Sequence, residues 1–528
     1  MIDNIIGLFD DINNNDNMFG GSKSNSKTKN HSRFQKTKLY IYKMTTNSNN
    51  TSDSNNFNLC TTESASESTD KSESADKSES ESESESEFES ESDKSSADRF
   101  MQTLLIPLTN ANTVTVGIFI KSGSRQETEA YGIAHFLEHM TFKGTSKRTS
   151  EQLMFDLDSI GANYNAMTGH EFTLYYISGD PRDILTLLDI VIDLYLNPIY
   201  PDIDIEKERN VVLEELRMNQ DNNHKQLFIQ LSKNLFEGVD SSLARPIIGY
   251  KETISNMNRS NILSYREKNY IGSNCLLCVS GNFASDEVIK FIEKQFRAKL
   301  SYVKHPSNLF HSKIQSDFNV PHILSLKPNI NRHTHIDKNI NQTIINIVFK
   351  GYNSFNKNNY AVDLICDILS NGFSSRLFNL LRNKMGVSYY NNSYNRTFSD
   401  NGQVVISVGV DHKSVIKTIK GILEELKNIV MNGPTELELA KSKKQNETSL
   451  LFQFKDPYEY LMYYGMNLLN HHPLYSLSDM LTNIENVSME DIKNVISRIF
   501  NKNNIIIGTI GKLNSSDSVE IIKIIDNF

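Results

Sequence analysis

The chain has 528 residues, enough for two or three domains with hydrophobic cores, and a formal net charge of −9 at pH 7. The negative charge belongs to one segment, because residues 63–98 hold 14 acidic residues against 3 lysines and leave the rest of the chain close to neutral. A neutral remainder excludes nucleic acid as an expected partner, and no apolar run reaches the roughly 18 residues that span a bilayer, so no membrane span is predicted.

The first segment of the chain, residues 1–99, is rich in Asn, Ser, Lys and Glu. It offers too little apolar surface to offset the entropy of ordering, so we predict a disordered tail. The first ten residues carry acidic side chains and no leading basic region, which is not typical of a secretory or mitochondrial signal. Few and scattered cysteines fit a reducing compartment, and we expect the protein to be intracellular, in the cytoplasm.

Residues 100–310 have the pattern of a first domain in which strands and helices follow one another irregularly. A first strand leads into a glycine-containing turn, Gly123–Glu127, and the turn leads into a helix. We predict strands at 113–120 and 173–178 and helices at 131–143, 149–160, 184–196 and 205–219. This order is typical of an α+β fold with antiparallel strands rather than of a regular βαβ alternation.

Cys275 and Cys278 form a lone CxxC pair in an apolar segment that we predict to be a strand ending at Gly281. Residues three apart on a strand point to opposite faces, so the two thiols are poorly placed to share a metal ion. The sequence has no second pair to complete a structural zinc site. We therefore interpret both residues as buried thiols that pack as small apolar side chains.

Residues 311–340 are polar and include two prolines, which predicts a linker. His333 and His335 lie within it without carboxylate or thiolate partners, and we predict solvated loop histidines rather than a second metal site. Residues 341–528 then repeat the element order of the first domain. We therefore predict two homologous domains, each an antiparallel sheet packed with helices. The second is predicted to be metal-free, because it has no histidine at the position of His135.

The motif that carries chemistry is His135-Phe136-Leu137-Glu138-His139. On a helix its two histidines lie one turn apart on one face, with Cβ atoms about 6 Å apart, close enough to share a cation. In catalytic sites zinc takes three protein ligands and lowers the pKa of the water in the fourth position to about 7. Glu138 flanks the same face, where its carboxylate can accept the proton of that water. The apolar neighbours predict a buried helix, in which uncompensated polar side chains would be costly.

A third ligand is available on the helix predicted at 205–219, which carries four glutamates: Glu206, Glu208, Glu214 and Glu215. Glu208 and Glu215 are seven residues apart, which places them on one face, separated by two turns. One of the two can bind the metal while the other supports the ligands from behind. The spacing alone leaves open which residue has which role.

These residues lie in stretches that resemble the pitrilysin/insulinase family of zinc metallopeptidases, M16, which has the inverted motif HxxEH. The chain is in the size class of the mitochondrial processing peptidase β subunit and its bacterial relatives. The resemblance covers roughly residues 105–528. The matching stretches are 123–127, 132–145, 165–168, 208–215 and 374–378, together with the pair Arg382 and Tyr389.

The resemblance implies a zinc-dependent endopeptidase that binds one Zn²⁺ per chain and hydrolyses short or unfolded polypeptides. An extended peptide would pair with an edge strand, and an arginine–tyrosine pair would contact the substrate near the scissile bond. The implied residues are the metal ligands His135, His139 and Glu215, the general base Glu138, the supporting acid Glu208, the pair Arg382 and Tyr389, and the substrate-strand residues Asn165 and Ala166.

Members of this family fold as halves that close like a clamshell, and the arginine–tyrosine pair that faces one zinc ion comes from the opposite half. This chain has the length of one half, so the resemblance implies a homodimer, with a heterodimer of this and a related chain as the alternative. A non-catalytic peptide-binding or assembly subunit of the same fold is the alternative function. The sequence departs from the family at residues 101–112, in place of the usual opening strand, and we expect a trimmed first sheet.

Overall fold

The computed structural model describes residues 37–46, 101–236, 242–302, 326–327 and 329–528, and these form two β-sheets packed with helices. The strands of the first sheet are β1 (Tyr40–Thr46), β2 (Gln102–Pro107), β3 (Val114–Ile120), β4 (Asn163–Thr168), β5 (Thr173–Gly179), β6 (Cys275–Gly281) and β7 (Ala298–Tyr302). The helices of this half are α1 (Ile133–Thr141), α2 (Ser150–Ser159), α3 (Ile184–Leu196), α4 (Asp202–Asp221), α5 (Asn223–Phe236), α6 (Lys251–Ser255), α7 (Arg259–Asn269) and α8 (Ser285–Phe296).

The second half begins with strand β8. Its strands are β8 (His333–Asp337), β9 (Thr343–Gly351), β10 (Asn391–Thr397), β11 (Gly402–Val410) and β12 (Ile505–Gly511). Its helices are α9 (Asn359–Ser370), α10 (Arg376–Phe378) with a following π-helical turn (Asn379–Lys384), α11 (Val415–Asn432), α12 (Glu436–Gln453), α13 (Pro457–Leu469), α14 (Leu477–Glu485), α15 (Met489–Ile499) and α16 (Asp517–Asp526).

The two sheets share one topology. The first has the strand order β4-β5-β3-β6-β2-β1-β7 and the second has the order β10-β11-β9-β12-β8, so the second repeats the first five positions of the first. In each sheet one equivalent pair is parallel, β2 with β6 and β8 with β12, and the other neighbours are antiparallel. The prediction of an α+β chain with two homologous sheet-and-helix halves is confirmed.

The centre of the first sheet is buried on both faces. All seven residues of β3 are buried, because α3 packs on one face of the sheet and α13 on the other. Helix α13 comes from the second half, and it lies so close that a Cβ at Gly465 would be 2.4 Å from the ring of Phe119. In return α5, from the first half, packs on β8, β9 and β12, where Gly508 leaves room for Leu231. The two halves therefore exchange one helix each.

The start of the first sheet differs from the prediction. Residues 40–46, which we predicted to be part of a disordered tail, form β1 between β2 and β7. The acidic stretch therefore joins two neighbouring strands of the sheet, and the rest of the predicted tail lies outside the described residues. The first sheet is also not trimmed, since β2 is present and β1 and β7 extend the sheet beyond it.

The predicted linker at 311–340 is wrong at its C-terminal end. Residues 333–337 form the edge strand β8, while 311–325 and 328 lie outside the described residues. His333 is buried and not solvated, and its Nε2 lies 3.1 Å from Oγ1 of Thr509 on β12. His335 Nδ1 lies 3.0 Å from the same hydroxyl. The sequence of β8 is polar because it is an edge strand, which among the described strands pairs with β12 alone, and this polarity concealed it.

The structure bears on two further predictions, the state of two cysteines and the absence of a membrane span. Cys275 and Cys278 are buried free thiols on β6, which confirms their interpretation as apolar packing residues. Within the part of the chain that the structure describes, no helix combines the length and apolar character needed to cross a bilayer. The compartment of the protein stays a prediction.

Candidate metal centre

Helix α1 presents three polar residues from a segment that is otherwise part of the core. Phe136 and Met140 pack with apolar residues of α4, α6 and α7. Because of their i, i+4 spacing, His135 and His139 share one face, and their ring centroids are 4.7 Å apart. This face contacts α4 and β4. The packing of α1 therefore brings both imidazoles against the elements that supply the rest of the site.

A carboxylate of α4 completes a group of three possible metal ligands. The Nε2 atoms of His135 and His139 each lie 3.5 Å from Oε2 of Glu215. One donor atom from each residue lies within 4.8 Å of the others, the one such group found among the described residues. Tetrahedral bonds of about 2.0–2.1 Å separate zinc ligands by roughly 3.3–3.4 Å. The donor types and distances therefore fit a zinc ion after small side-chain shifts.

Glu208, also on α4, lies behind His139 rather than beside the other donors. Its Oε2 is 3.1 Å from Nδ1 of His139, and its Oε1 is 2.5 Å from Nζ of Lys143. Since Nε2 of His139 faces Glu215, Glu208 contacts the nitrogen that points away from the donor group. Such a carboxylate fixes the orientation of a ligating imidazole. The geometry favours Glu215 as the ligand and Glu208 as the support, which are the roles that the resemblance implies.

Burial and nearby charges shift the two imidazoles in opposite directions. Burial, together with neighbouring His139, lowers the pKa of His135 to about 4, so its ring is neutral at pH 7. Burial opposes protonation of His139 too, but its hydrogen bonds with Glu208 and Glu215 outweigh burial and raise its pKa to about 9. Burial acts to raise the pKa of Glu208 and Glu215, but their hydrogen bonds with His139 outweigh burial, and both pKa values are lowered. A cation binding here would displace the proton of His139.

Glu138 lies beside the metal ligands on the same helix and is 5% exposed. Burial raises its pKa, against the opposing effect of a hydrogen bond in which Thr168 Oγ1 donates to Glu138 Oε2 at 2.6 Å. A carboxylate whose pKa is raised toward neutrality is suited to accept a proton and release it again. Thr168 is the last residue of β4, so the candidate base is tied directly to that strand.

Strand β4 is at the edge of the first sheet, and among the described strands it pairs with β5 alone. Asn165 and Ala166 lie in the middle of β4, opposite Tyr176 and Tyr175. The side-chain Oδ1 of Asn165 accepts the N–H of Ala166 at 2.9 Å. Because β4 contacts α1, a peptide added to this edge would lie next to Glu138.

Arg382 and Tyr389 come together on the surface of the second half. Arg382 lies in the π-helical turn after α10, and Tyr389 precedes β10. The guanidinium carbon of Arg382 is 4.9 Å from the ring centroid of Tyr389 and 5.1 Å from that of Phe378. Tyr389 is 77% exposed. The two residues therefore contact each other. None of the described hydrogen bonds, ion pairs or ring contacts joins either of them to the candidate metal ligands of the same chain.

Two residues of this site were not predicted to take part, Lys143 and Thr168. Lys143 follows His139 by four residues, and that spacing could have indicated a shared contact with Glu208. Thr168 lies in a family-like stretch, but its contact with the base depends on how β4 packs against α1. No local sequence pattern reveals that packing.

Two family models match the chain. Residues 103–249 match the model described as insulinase, peptidase family M16, and residues 256–446 match the M16 inactive domain. The boundary between the two matches falls near α6, after all the metal-site residues. The second match begins in the first half, near the start of α7, and extends into the second half, where α9, which follows β9 as α1 follows β3, has no histidine.

Proteins with similar sequences are named as zinc proteases. An uncharacterized zinc protease of Rickettsia felis is 31% identical over 392 residues, covering 74% of this chain and 90% of that protein. The uncharacterized zinc protease YmxG of Bacillus subtilis is 29% identical over 396 residues, with coverage of 74% and 90%.

Solved structures with a similar fold have lower sequence identity. A Helicobacter pylori protease superposes with a TM-score of 0.66 at 19% identity, covering 78% of this chain and 97% of that one. An M16 inactive-domain protein from Pseudomonas fluorescens superposes with a TM-score of 0.68 at 17% identity, covering 78% and 96%. At these identities the structural likeness supports the fold alone.

Proposed function

The chain belongs to peptidase family M16, the insulinase family, and on this premise we propose that it is a zinc-dependent endopeptidase acting on short or unfolded polypeptides. The observation that carries the proposal is the donor group of His135, His139 and Glu215 with the buried carboxylate of Glu138 beside it. Each chain would hold one zinc ion in this group.

The residues around the donor group have separate tasks in this proposal. Zinc, when bound, supplies a Lewis acid that lowers the pKa of water and polarises the scissile carbonyl. Glu138 accepts the proton of the attacking water and passes it to the nitrogen of the leaving amine. Thr168 orients the Glu138 carboxylate, and Glu208 holds the His139 ring through Nδ1 so that Nε2 faces the donor group.

The substrate would bind as an added strand on β4. An extended peptide satisfies the free N–H and C=O groups of an edge strand, so binding depends on main-chain hydrogen bonds more than on sequence. In a folded protein most extended segments are already paired within a sheet, which is why short or unfolded polypeptides suit this edge. Asn165 and Ala166 are the β4 residues that would pair with the peptide beside Glu138, and the N–H of Ala166 would exchange its contact with Asn165 Oδ1 for a peptide carbonyl.

The active unit would be a homodimer. Arg382 and Tyr389 are exposed and paired, and none of the described contacts joins them to the metal ligands of their own chain, which supports a role at the site of a partner subunit. Mixing tests this directly. Chains with Glu138→Gln and chains with Arg382→Ala are each expected to be inactive, but a mixed dimer has one site with both residues intact.

Random reassortment of the two inactive chains should therefore restore about a quarter of the wild-type activity, because half of the dimers are mixed and each has one intact site of two. Each variant reassorted with itself is the control. Mixed dimers that form and stay inactive would refute the shared site. Loss of activity by Arg382→Ala with no dimer present would refute it as well, since the arginine would then act within its own chain.

The test of the proposed activity is Glu138→Gln, which keeps the size of the side chain and removes the base. Wild-type protein is expected to bind zinc and cleave a natively unfolded polypeptide. The variant is expected to bind zinc equally and to lose at least 10²-fold in kcat, the lower end of the usual contribution of a general base. A wild-type protein that binds zinc and peptide without cleaving the peptide would instead support the non-catalytic peptide-binding subunit.

A further inference from the structure

The segment Gly123–Glu127 lies between β3 and α1 and touches three parts of the molecule. Its N-terminal end is hydrogen-bonded to the turn between β4 and β5. Ser124 N–H donates to Gly169 O at 3.2 Å, and Arg125 N–H donates to His170 O at 2.9 Å. Gly123 is required for this approach, since a Cβ there would lie 2.2 Å from Gly169 O. The other end reaches α1. The segment thus runs from the turn of the substrate strand to the metal-binding helix.

Glu127 caps the metal-binding helix. Gly132, which precedes α1, has φ of 95° and no side chain, so the helix has no capping group of its own. The Glu127 carboxylate takes this place: Oε2 accepts the N–H of Gly132 and Oε1 accepts the N–H of Ala134, both at 3.0 Å. A carboxylate at a helix N-terminus satisfies donors that would otherwise be buried and unpaired. It therefore fixes the first turn of α1, which carries His135.

Arg125 ties the turn of the substrate strand to the second half. Its Nη1 is 2.6 Å from Oε1 of Glu171, in the turn between β4 and β5. It also makes a two-pronged contact with Asp400, in the turn between β10 and β11, at 3.0 and 2.8 Å. Ser399 of that second turn donates to Glu171 from its hydroxyl and its N–H. The turn that ends β4 is therefore held in place by two charge-assisted contacts.

From these contacts we propose that Gly123–Glu127 is a positioning segment of the active site. Glu127 sets the position of the metal-binding helix, and Arg125 sets the position of the substrate strand. No described hydrogen bond or ion pair joins either residue to the donor atoms of His135, His139 and Glu215. The inference rests on the proposed function, because it takes β4 as the peptide site and His135, His139 and Glu215 as the zinc site. The two residues are expected to have separate effects. Substitution of Glu127 should lower zinc affinity, and substitution of Arg125 should lower peptide affinity.

Loss of stability alone must be separated from this role, and the chain offers a control contact for each of the two residues. Arg148 is 16% exposed against 14% for Arg125, and it pairs with carboxylates of α2 and α3 in the same half. Glu293 accepts the backbone N–H of Leu300 at 2.9 Å, as Glu127 accepts those at α1. Neither control contacts α1 or the turn after β4 in the described structure. Arg148→Met and Glu293→Gln therefore report what loss of a similar contact does elsewhere.

The experiment measures three quantities on metal-stripped full-length chains: zinc affinity by competition with a chelator, binding of fluorescein-labelled β-casein by anisotropy, and the midpoint of thermal unfolding. Glu127→Gln is expected to lower zinc affinity about tenfold and to change casein affinity less than twofold. Arg125→Met is expected to lower casein affinity about tenfold and to change zinc affinity less than twofold. The two controls should lower the midpoint without changing either affinity.

The proposal is overturned if the Glu127 and Arg125 variants lose zinc and casein affinity together, or only as far as the controls do at equal loss of stability. It is also overturned if both variants bind as the wild type does. Arg125→Lys should restore part of the casein affinity, because it keeps one charge contact, and no recovery would count against positioning through the salt bridge. Wild-type protein that binds zinc and casein without cleaving casein would refute the proposed peptidase activity. The affinity measurements would still decide whether Glu127 and Arg125 position the two sites.

Discussion

Thr168→Val probes the connection between the candidate base and the substrate strand. The Thr168 hydroxyl is buried and donates to Glu138 at 2.6 Å, and valine has the same shape without a donor. A hydrogen bond to a charged group contributes about 1.5–3 kcal/mol, and every 1.36 kcal/mol is tenfold in rate, so kcat should fall about 10- to 100-fold. Zinc affinity should not change, because no described contact joins Thr168 to the proposed ligands His135, His139 and Glu215.

The assay is steady-state cleavage of an unfolded polypeptide, with zinc affinity and thermal unfolding measured on the same preparations. Thr168→Ser keeps the hydroxyl and should recover most of the rate. Thr115→Val is the matched control, since Thr115 is also buried in the first sheet and its hydroxyl lies 2.8 Å from that of Ser178, away from Glu138. A Thr168→Val variant with kcat within twofold of wild type would show that the base does not depend on this hydrogen bond.

Three further outcomes are expected. Glu208→Gln removes the charge behind His139, so zinc affinity should fall about 10- to 100-fold by chelator competition, and an unchanged affinity would contradict the supporting role. Burial, with nearby arginines, lowers the pKa of His170 to about 3. The unfolded chain therefore takes up a proton at His170 near pH 6.5 that the folded chain refuses. In urea titrations of metal-free protein, the wild type should lose about 2 kcal/mol more unfolding free energy between pH 7 and 5 than His170→Gln loses, and an equal loss would contradict the burial of a neutral His170. Gly465→Val forces a side chain against Phe119 and should cost about 1–3 kcal/mol in the same titrations, with one unfolding transition for the whole chain; two separate transitions would argue against the helix exchange.

The sequence predicted the helix of the candidate metal ligands and the shared face of its histidines, because this information is local. The spacing of His135 and His139 needs only helical periodicity to place both rings on one face, and the surrounding apolar residues indicate burial. The choice between Glu208 and Glu215 is not local, since both lie on the same face of α4. The packing of α4 against α1 decides it, by bringing Glu215 to Nε2 and Glu208 to Nδ1 of His139.

Local patterns missed strands β1 and β8, each for its own reason. β1 pairs with β2, but the acidic stretch separates the two, and its composition dominated the prediction for the whole N-terminal region. β8 pairs in parallel with β12, which lies near the C-terminal end of the chain, about 170 residues later. The internal repeat was the available signal for β8, because the equivalent position in the first half is β2.

The exchange of α5 and α13 also has a consequence for synthesis on the ribosome. The face of the first sheet around Phe119 is covered by α13, which follows the last strand of that sheet by about 150 residues. Synthesis of this interval takes roughly 8–30 s at 5–20 residues per second. Throughout that interval the nascent first half exposes an apolar face that only a later helix can cover. We therefore expect the emerging chain to require protection by a chaperone, and a release of the first half alone to yield an aggregating product.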